Sequence, residues 1–353
     1  MHKILAINPG STSTKIGIFE DDKIIKEYNL MHTPEEQAKN TTFESEISFR
    51  RQVIEKALKD ANIKIEDFSA ISCRGGIINL VPSGTYAIND RILEDSQNSN
   101  FKHPSNLASL IGYELGQMYH IPSFITDPPS TFEADEIATI TGLPFLSRPM
   151  TFHALNHKAI ARKHCKLHGL DYKKVNLIVG HAGGGISIGM HRHGRVIDVT
   201  DAVSDGPFSP ERAGALPCKQ LIELCYSGEY DLKQMQAFLR GKGGFMAHLG
   251  TNDLRKVTKM IEQGDEHARL IFDAFVYQFA KYIGAMATTT SGKVDAILLT
   301  GGISHGKLFI DSVTEKVKWI APVFVYPGEE ELQSLASAVL AVLEGKDNPK
   351  KYL

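Results

Sequence analysis

The sequence has few cysteines and no long apolar run. Its 353 residues contain four Cys, none of them in a Cys-x-x-Cys pair, so we expect neither a disulfide framework nor a cysteine-rich metal site. No stretch approaches the roughly 18 apolar residues that a membrane span needs. The apolar run at 4–7 is too short for the core of a secretory signal. We therefore expect a cytoplasmic protein without a membrane partner.

A surplus of one charge is also absent. Lys and Arg number 39 and Asp and Glu number 41, which gives a formal net charge of −2. Proteins that bind nucleic acid carry a basic surplus for the phosphate backbone, so we expect no nucleic-acid partner. With 42% hydrophobic and 23% charged residues, the composition is that of an ordinary globular protein. At about 150 residues per domain, the length predicts two domains.

What the sequence does contain is a repeat. An apolar strand, a turn of small residues and a second strand occur twice, at 3–7, 8–15 and 16–19 and again at 175–179, 180–185 and 186–190. Two further pieces repeat in the same order. One is a helix, a strand and a Gly-Gly pair, which ends at 75–76 and at 301–302, and the other is a strand at 121–127 that resembles 321–327. Three matches in one order predict a duplicated α/β domain.

We expect the first domain to comprise 1–148 and 331–353, and the second to comprise 149–330 with an insertion around 203–256. Strands that alternate with helices predict mixed central sheets flanked by helices, and ligands in such folds bind where strand ends meet loops. The apolar face predicted for the first long helix consists of Phe49, Val53, Ala57 and Leu58.

The two small-residue turns are candidate phosphate-binding loops. Gly and hydroxyl residues let backbone N–H groups approach phosphate oxygens. Each turn alone is better explained as an ordinary tight turn, but a matched pair at strand ends favours phosphate binding. The sequence lacks the Gly-x4-Gly-Lys-Ser/Thr signature of P-loop proteins. The architecture that remains is the actin-like, ribonuclease H-like one, with an ATP cleft between two duplicated domains.

Both turns also carry a family resemblance. The run Ile-Asn-Pro-Gly-Ser-Thr-Ser-Thr-Lys at 7–15 resembles the amino-terminal signature of the acetate and butyrate kinase family. The run Gly-His-Ala-Gly-Gly-Gly-Ile-Ser at 180–187 resembles its second phosphate motif, and 74–76, 205–214 and 326–330 look more like the butyrate branch. The resemblance covers nearly the whole chain. It implies ATP and ADP as co-substrates, Mg²⁺ as cofactor and a homo-oligomer of two or more copies.

The resemblance also implies which residues form the site. Those implied to hold the phosphates of ATP are Asn8, Ser11, Ser13, Lys15, His181, Gly183 and Gly185. Those implied to contact adenosine are Asp253, Arg255, Gly301 and Gly302. Those implied to act on the transferring phosphoryl group are Arg74, Asp127, His157 and Arg212. The implied Mg²⁺ ligands are Asp127 and one of Glu329, Glu330 and Glu331, of which we favour Glu330.

Two positions depart from the family pattern. Gly184 stands where the acetate branch has an asparagine. The family's second active-site arginine has no clear counterpart, and Arg212 is the arginine in the matching segment 205–214.

Several of these residues have a plainer explanation. On sequence alone a surface salt bridge explains Arg74 better than catalysis does, Asp127 fits a turn, and the acidic run 329–331 fits the first turn of a solvated helix. One face of a predicted helix carries His153, His157, His164 and His168. A metal site on that face is disfavoured because the Glu of a His-Glu-x-x-His motif is missing. His191 and His193 are interpreted as part of a hairpin turn.

The charge state of the acceptor indicates the chemistry. A short fatty acid has a pKa of about 4.8, close to that of Glu, so it is ionised at pH 7 and needs no catalytic base. It needs cationic and N–H donors that relieve the repulsion between two anions, and Arg74 is such a donor. The leading hypothesis is therefore an ATP-dependent carboxylate kinase that makes or consumes an acyl phosphate of butyrate or a branched acid such as isobutyrate.

Two alternatives stay open. An apolar pocket distinguishes acids that differ by one methylene by only about 1 to 3 kcal/mol, so the chain could be an acetate or propionate kinase. An actin-like ATP-binding filament or scaffold protein is the alternative from another class.

Overall fold

The computed structural model describes residues 1–99 and 104–353. Its strands are β1 (Lys3–Pro9), β2 (Ser13–Glu20), β3 (Lys23–Met31), β4 (Ala70–Cys73), β5 (Thr85–Ala87), β6 (Ser123–Thr126), β7 (Asn176–Ala182), β8 (Ile186–Arg192), β9 (Arg195–Val199), β10 (Ala296–Gly301) and β11 (Val323–Pro327). Its α-helices are α1 (Pro34–Lys39), α2 (Phe43–Asp60), α3 (Asp90–Asn98), α4 (Asn106–Tyr119), α5 (Glu136–Thr139), α6 (Ala154–His168), α7 (Cys218–Tyr226), α8 (Leu232–Leu239), α9 (Gly244–Leu249), α10 (Leu254–Glu262), α11 (Glu266–Thr288), α12 (Lys307–Val317) and α13 (Glu331–Leu343). Within these residues, no helix combines the length and the apolarity needed to cross a membrane.

The described residues pack into two compact units. The first comprises Met1–Phe132 and Glu330–Leu353, and the second comprises Glu133–Glu329. Helix α13 packs on β1, β4 and β6 of the first unit. The first segment of that unit ends earlier than the boundary that we expected at residue 148, because ion pairs tie 133–148 to the second unit. These pairs join Glu133 to Lys158, Asp135 to Arg192 and Arg195, and Arg148 to Asp198 and Asp205.

Both units are built on a sheet of the same topology. The strand order is β3-β2-β1-β4-β6-β5 in the first unit and β9-β8-β7-β10-β11 in the second. In each sheet the first three strands in sequence are antiparallel neighbours, and the next two core strands add in parallel. Strand β5 adds an antiparallel edge to the first sheet. The repeated sequence pattern is therefore a repeated fold.

The second sheet is covered by helices on both faces. Leu177 and Val179 of β7 pack with Ile160 of α6, whereas Ile178 packs in the cluster that contains Phe275 of α11. Because successive side chains of a strand point to opposite faces, a strand buried on both sides is an unbroken apolar run. The run Leu-Ile-Val at 177–179 is such a strand.

Helix α2 buries a different face from the one that the sequence predicts. Of the four residues on its predicted apolar face, only Leu58 is buried, and the other three are partly buried, namely Phe49, Val53 and Ala57. Its buried residues are Ile47, Arg50, Ile54 and Leu58. The predicted and the buried face share Leu58, and the apolar pattern did not show the centre of the buried face because a charged residue, Arg50, lies there and is 1% exposed.

Two turns are shorter than expected. Gly180 continues β7 by pairing with Ile188 of β8, so the second small-residue turn contains only 183–185. His191 belongs to β8 rather than to the hairpin turn, which consists of His193 and Gly194 with φ of 50° and 85°. In both places cross-strand pairing extends the strand into residues that have low strand propensity.

The expected insertion around 203–256 contains α7, α8, α9 and the start of α10. Helix α7 has no buried residue, and its Ile222 and Tyr226 are 58% and 88% exposed. A helix with this exposure contributes little to the packing of its own unit.

Candidate active site

The first small-residue turn joins β1 to β2 and carries the first set of predicted phosphate-binding residues. Asn8 lies at the end of β1 and is 6% exposed, and it pairs across the hairpin with Lys15. Ser11 is exposed, and Ser13 is half-buried at the start of β2. The two hydroxyls therefore lie where a ligand can reach the turn, while Asn8 lies beneath them in the sheet.

A buried arginine holds this turn from within the unit. Arg50 of α2 donates from Nη1 to the carbonyl oxygens of Gly10 and Ser13, at 2.9 and 3.0 Å, and to the Thr14 hydroxyl at 3.1 Å. Its Nη2 pairs with Glu46 at 2.7 Å. Because these carbonyls are held by one cation, the conformation of the turn is fixed before any ligand binds.

Arg74 and Asn8 meet at a buried carboxylate. Nη1 of Arg74 lies 3.2 Å from Oε2 of Glu331 and 3.4 Å from Oδ1 of Asn8. Nδ2 of Asn8 donates to the same Oε2. Glu331 is 5% exposed, and the Arg74 side chain is 20% exposed. Arg74 thus forms a salt bridge, as its plainer explanation required, but the partner is buried and fixes the guanidinium beside Asn8.

Asp127 lies at the same edge of the first sheet. It follows β6, has a φ of 40° and is 1% exposed. Its Oδ1 accepts hydrogen bonds from the Ser83 hydroxyl at 2.6 Å and from the Gly84 N–H at 2.8 Å. Strands β1, β4 and β6 are parallel neighbours, so Asn8, Arg74 and Asp127 all lie at their carboxyl ends. The fold thereby brings together three residues that are separated by more than 50 positions in sequence.

The three consecutive glutamates have different surroundings. Oε1 of Glu329 lies 3.7 Å from Nε2 of His181 in the second unit. Glu330 is half-buried at the N-cap of α13, and its carbonyl accepts from the Ser334 N–H at 2.9 Å. Glu331 is the residue that binds Arg74 and Asn8.

The second small-residue turn packs against an arginine. The Gly183 N–H donates to the Gly185 carbonyl at 3.0 Å. A Cβ atom on Gly185 would lie 2.4 Å from Nη1 of Arg212, so a larger residue would displace the guanidinium. Nη1 of Arg212 donates to the Ala202 carbonyl at 2.6 Å, while its buried Nε has no hydrogen-bond partner. Burial lowers the pKa of Arg212 from its ordinary value.

His157 is buried, and the neighbouring His153 contacts residues of the second phosphate motif. His157 is 0% exposed, and its Nε2 lies 2.9 Å from the Ser187 hydroxyl. Burial, with smaller effects of His181 and Lys158, lowers the pKa of His157 to about 3. His153 is partly exposed, its Nδ1 lies 2.8 Å from the same hydroxyl, and its ring stacks on His181 at 3.9 Å. His153 is therefore the partly exposed ring of the two, and it stacks on His181 of the second phosphate motif.

The predicted adenosine-contacting residues fall into two groups. Asp253 caps α10 and accepts from Nε and Nη2 of Arg255 at 2.9 and 2.8 Å, and these hydrogen bonds lower the pKa of Asp253 to about 2. The Arg255 side chain is 91% exposed. Gly301 ends β10 with a φ of 89°, and a Cβ atom there would lie 2.3 Å from the Ala182 carbonyl. Gly302 follows it in a 3-10 helix.

The carboxylates fit a magnesium ion that arrives with a nucleotide. In 1–99 and 104–353 there is no group of three or more His, Cys, Asp or Glu that could hold a metal. Mg²⁺ in kinases takes most of its oxygen ligands from phosphates and water and uses only one or two carboxylates. Asp127, at the sheet edge that also holds Asn8 and Arg74, is a suitable carboxylate.

Three residues that contact the predicted site were not among the predicted site residues, namely Arg50, His153 and Ser187. Glu331 was predicted only as an alternative Mg²⁺ ligand and not as the partner of Arg74. Ser187 closes the second phosphate motif, and His153 heads the histidine face of α6, so both lay in segments that the sequence had marked. Nothing in the local sequence connected Arg50 with a turn that lies about 40 residues earlier.

Comparison with known proteins places the chain in a family. Residues 143–320 match the acetokinase family. A curated relative from Clostridium botulinum (strain Alaska E43 / Type E3), a probable butyrate kinase, is 47% identical over 353 residues, which is 99% of each chain. The chain belongs to the acetokinase family. The resemblance that its two turns carried is confirmed.

Solved structures of acetate and propionate kinases share the fold of this acetokinase family member. The acetate kinase of Porphyromonas gingivalis superimposes with a TM-score of 0.80 and 20% identity, covering 97% of this chain and 100% of that one. A propionate kinase from Francisella tularensis gives a TM-score of 0.78 and 18% identity, covering 96% and 99%. The predicted fold class, duplicated actin-like domains with mixed sheets flanked by helices, is confirmed.

Proposed function

We propose that this chain is an ATP-dependent butyrate kinase. It transfers a phosphoryl group reversibly between ATP and butyrate, or a branched acid such as isobutyrate, and gives the acyl phosphate and ADP. Membership of the acetokinase family supports the kinase class and the ATP/ADP pair. The observation that carries the choice of acid is the 47% identity, over 99% of both chains, with a probable butyrate kinase.

The first unit supplies charge to this reaction. The acid is already ionised, so Arg74 acts by relieving repulsion between the carboxylate and the phosphoryl group and not by removing a proton. Glu331 and Asn8 hold the Arg74 guanidinium in one place. The side chain therefore loses less conformational entropy when the substrate binds. Asp127 and Glu330 would hold Mg²⁺, which when bound neutralises charge on the phosphates.

The second unit supplies fixed donors. The turn at 183–185 would contact phosphate oxygens through backbone N–H groups other than that of Gly183, which is bonded to the Gly185 carbonyl, and His181 and Arg212 lie beside the turn. His153 takes the role that the sequence had given to His157, because His153 is the partly exposed ring of the two. Asp253, Arg255, Gly301 and Gly302 stay assigned to adenosine.

Trapping the acyl phosphate with hydroxylamine tests the proposal. The purified chain is incubated with ATP, Mg²⁺ and each of a panel of C2 to C5 acids, and the hydroxamate is measured against a control without acid. We expect butyrate or isobutyrate to give the highest kcat/KM. A preference for acetate or propionate would correct the substrate. If no acid exceeds the control, the kinase proposal fails, and sedimentation with and without ATP would then test the filament alternative.

A further inference from the structure

A line of polar side chains runs through the interior of the second unit. The Nδ1 atom of His153 lies 2.8 Å from the Ser187 hydroxyl, which lies 2.9 Å from Nε2 of His157. Nδ1 of His157 lies 3.3 Å from Nε2 of His191, and Nδ1 of His191 lies 2.7 Å from the Tyr172 hydroxyl. The rings of His157 and His191 are nearly parallel, at 15°. Both nitrogens of each of these two rings are thus engaged within the line.

The two inner histidines are neutral. His157, Ser187 and His191 are all 0% exposed, so a charge on either ring would lack water. Burial lowers the pKa of His191 well below 6.5, and the neighbouring His157, Lys158 and Arg162 lower it further. Burial likewise holds the pKa of His157 at about 3. At neutral pH each ring therefore carries one N–H and one lone pair.

Neutrality couples the tautomers along the line. Each hydrogen bond needs one donor and one acceptor, so the N–H of one ring must face the lone pair of the next group. If His191 carries its proton on Nε2, then His157 must accept at Nδ1 and carry its own proton on Nε2. Ser187 then accepts from His157 and donates to Nδ1 of His153. The alternative reverses every bond and places all three protons on Nδ1.

The end of the line selects between these two arrangements. The phenol of Tyr172 can donate to Nδ1 of His191 or accept from it. The Lys158 ammonium lies 5.9 Å from the centre of the Tyr172 ring and pairs with Glu133, and, besides burial, its charge and that of Arg162 lower the pKa of His191. A cation near the ring makes the phenol a stronger donor and a weaker acceptor. Donation by Tyr172 to His191 sets every proton on Nε2.

We propose that Tyr172, His191, His157 and Ser187 form a positioning relay that holds His153 in the tautomer with its proton on Nε2. The relay fixes the ring of His153 at Nδ1 and leaves it a donor at its other nitrogen, which is the form that stabilises an anionic phosphoryl group. This inference rests on the proposed function for the role of His153, but the tautomers themselves do not depend on it.

Nitrogen-15 NMR of the resting full chain, labelled at histidine, measures the tautomers directly. Resonances are assigned with single His→Gln variants, and spectra are recorded at pH 7.5 without substrate. We expect His157 and His191 to be neutral with the proton on Nε2, and Nδ1 of His153 to carry no proton. In Ser187→Ala, His153 should become a mixture of tautomers while His157 and His191 keep theirs. A proton on Nδ1, or a mixture at any of the three rings in the unmodified chain, would overturn the relay.

Kinetics test what the relay does for the proposed reaction. Tyr172→Phe removes the donor at the end of the line, and we expect kcat to fall by about fivefold, the size of one neutral hydrogen bond, with KM for ATP unchanged. The matched control is Tyr326→Phe. It removes a similar tyrosine–histidine hydrogen bond, of 2.8 Å, from the Tyr326 hydroxyl to Nδ1 of His164, which lies on α6 like His157. That control should keep both constants.

A failure of the relay can be distinguished from a failure of the proposed function. The double variant Tyr172→Phe/Ser187→Ala should be no slower than Ser187→Ala alone, because both changes break one line. Additive losses, or an equal loss in Tyr326→Phe, would overturn the positioning role. If the unmodified chain phosphorylates no acid, the proposed function fails, while the NMR spectra still decide whether the relay exists.

Discussion

Replacing Arg50 by methionine should loosen the first phosphate turn. The guanidinium of Arg50 is 1% exposed and donates to the carbonyls of Gly10 and Ser13 and to the Thr14 hydroxyl. Methionine fills much of the same space with an apolar side chain, so packing on α2 is largely kept. What is lost is the set of hydrogen bonds that fixes the turn.

The magnitude follows from these contacts. Hydrogen bonds to a charged group contribute about 1.5 to 3 kcal/mol each, and the Ser13 carbonyl, which also accepts from the Gly10 N–H at 2.8 Å, keeps one donor when Arg50 is replaced. The three bonds share one donor atom, so they are not additive. Glu46, the ion-pair partner, is 35% exposed and regains water. We therefore expect Arg50→Met to lower the free energy of unfolding by about 3 kcal/mol and to raise KM for ATP by roughly tenfold.

Urea denaturation followed by circular dichroism and steady-state kinetics in ATP measure both effects. Arg51→Met is the matched control, because Arg51 is adjacent on α2 and forms more exposed salt bridges. Its partners are Glu55 of the same helix and Glu114 of α4. Its loss of stability should stay below about 1 kcal/mol, with KM for ATP unchanged. Equal effects of the two variants, or a destabilised Arg50→Met that keeps its KM for ATP, would refute the claim that Arg50 holds the turn.

Four further outcomes are expected. Arg74→Ala should lower kcat by at least about 100-fold with little change in nucleotide affinity, and an unchanged kcat would leave Arg74 as a structural salt bridge. Gly301→Ala should lower the free energy of unfolding by about 2 kcal/mol or more in a urea titration, because its φ is 89° and a Cβ would lie 2.3 Å from a carbonyl oxygen. Gly302→Ala is the control, since a Cβ there meets open space and should lower the free energy of unfolding by less. The pKa of His157 is about 3 in the folded state and near 6.5 in the unfolded state, so only the unfolded state gains the proton as the pH falls below 6.5. The free energy of unfolding therefore decreases from pH 6.5 towards pH 3. In urea titrations between pH 6 and 4.5, His157→Gln should reduce this decrease by about 1.4 kcal/mol per pH unit. Analytical ultracentrifugation should find a homo-oligomer, consistent with the exposed apolar side chains of α7, and a monomer at micromolar concentration would contradict this.

The fold was predictable where its signals are local. Apolar runs followed by small residues marked β1, β2, β7 and β8 within a few residues of their ends, because burial on both faces needs an apolar run and a tight turn needs residues without bulk. The expected boundary near residue 148 differs from the division after residue 132, and the ion pairs that attach 133–148 to the second unit join residues 25 to 60 positions apart. The sequence of a loop does not show which distant residues its charged side chains will pair with.

The site was predictable to the level of motifs but not of contacts. Asn8 and Asp127 were assigned from the family resemblance, and the structure places both at the carboxyl ends of parallel strands. His153 and His157 share one helix face, and only the packing of Ser187 and His191 against α6 shows that His157 is the buried ring. Residues that act through a second residue leave no pattern of their own, since their role depends on a distant partner.

The charges of the two units suit an acceptor that is already an anion. In the first unit Arg50 and Arg74 are cations paired with Glu46 and Glu331, so their positive charge is fixed in place. In the second unit burial keeps His157 neutral, with a pKa of about 3, so this ring cannot serve as a base that cycles near neutral pH. A hydroxyl acceptor would need such a base, whereas a carboxylate needs only donors and cations.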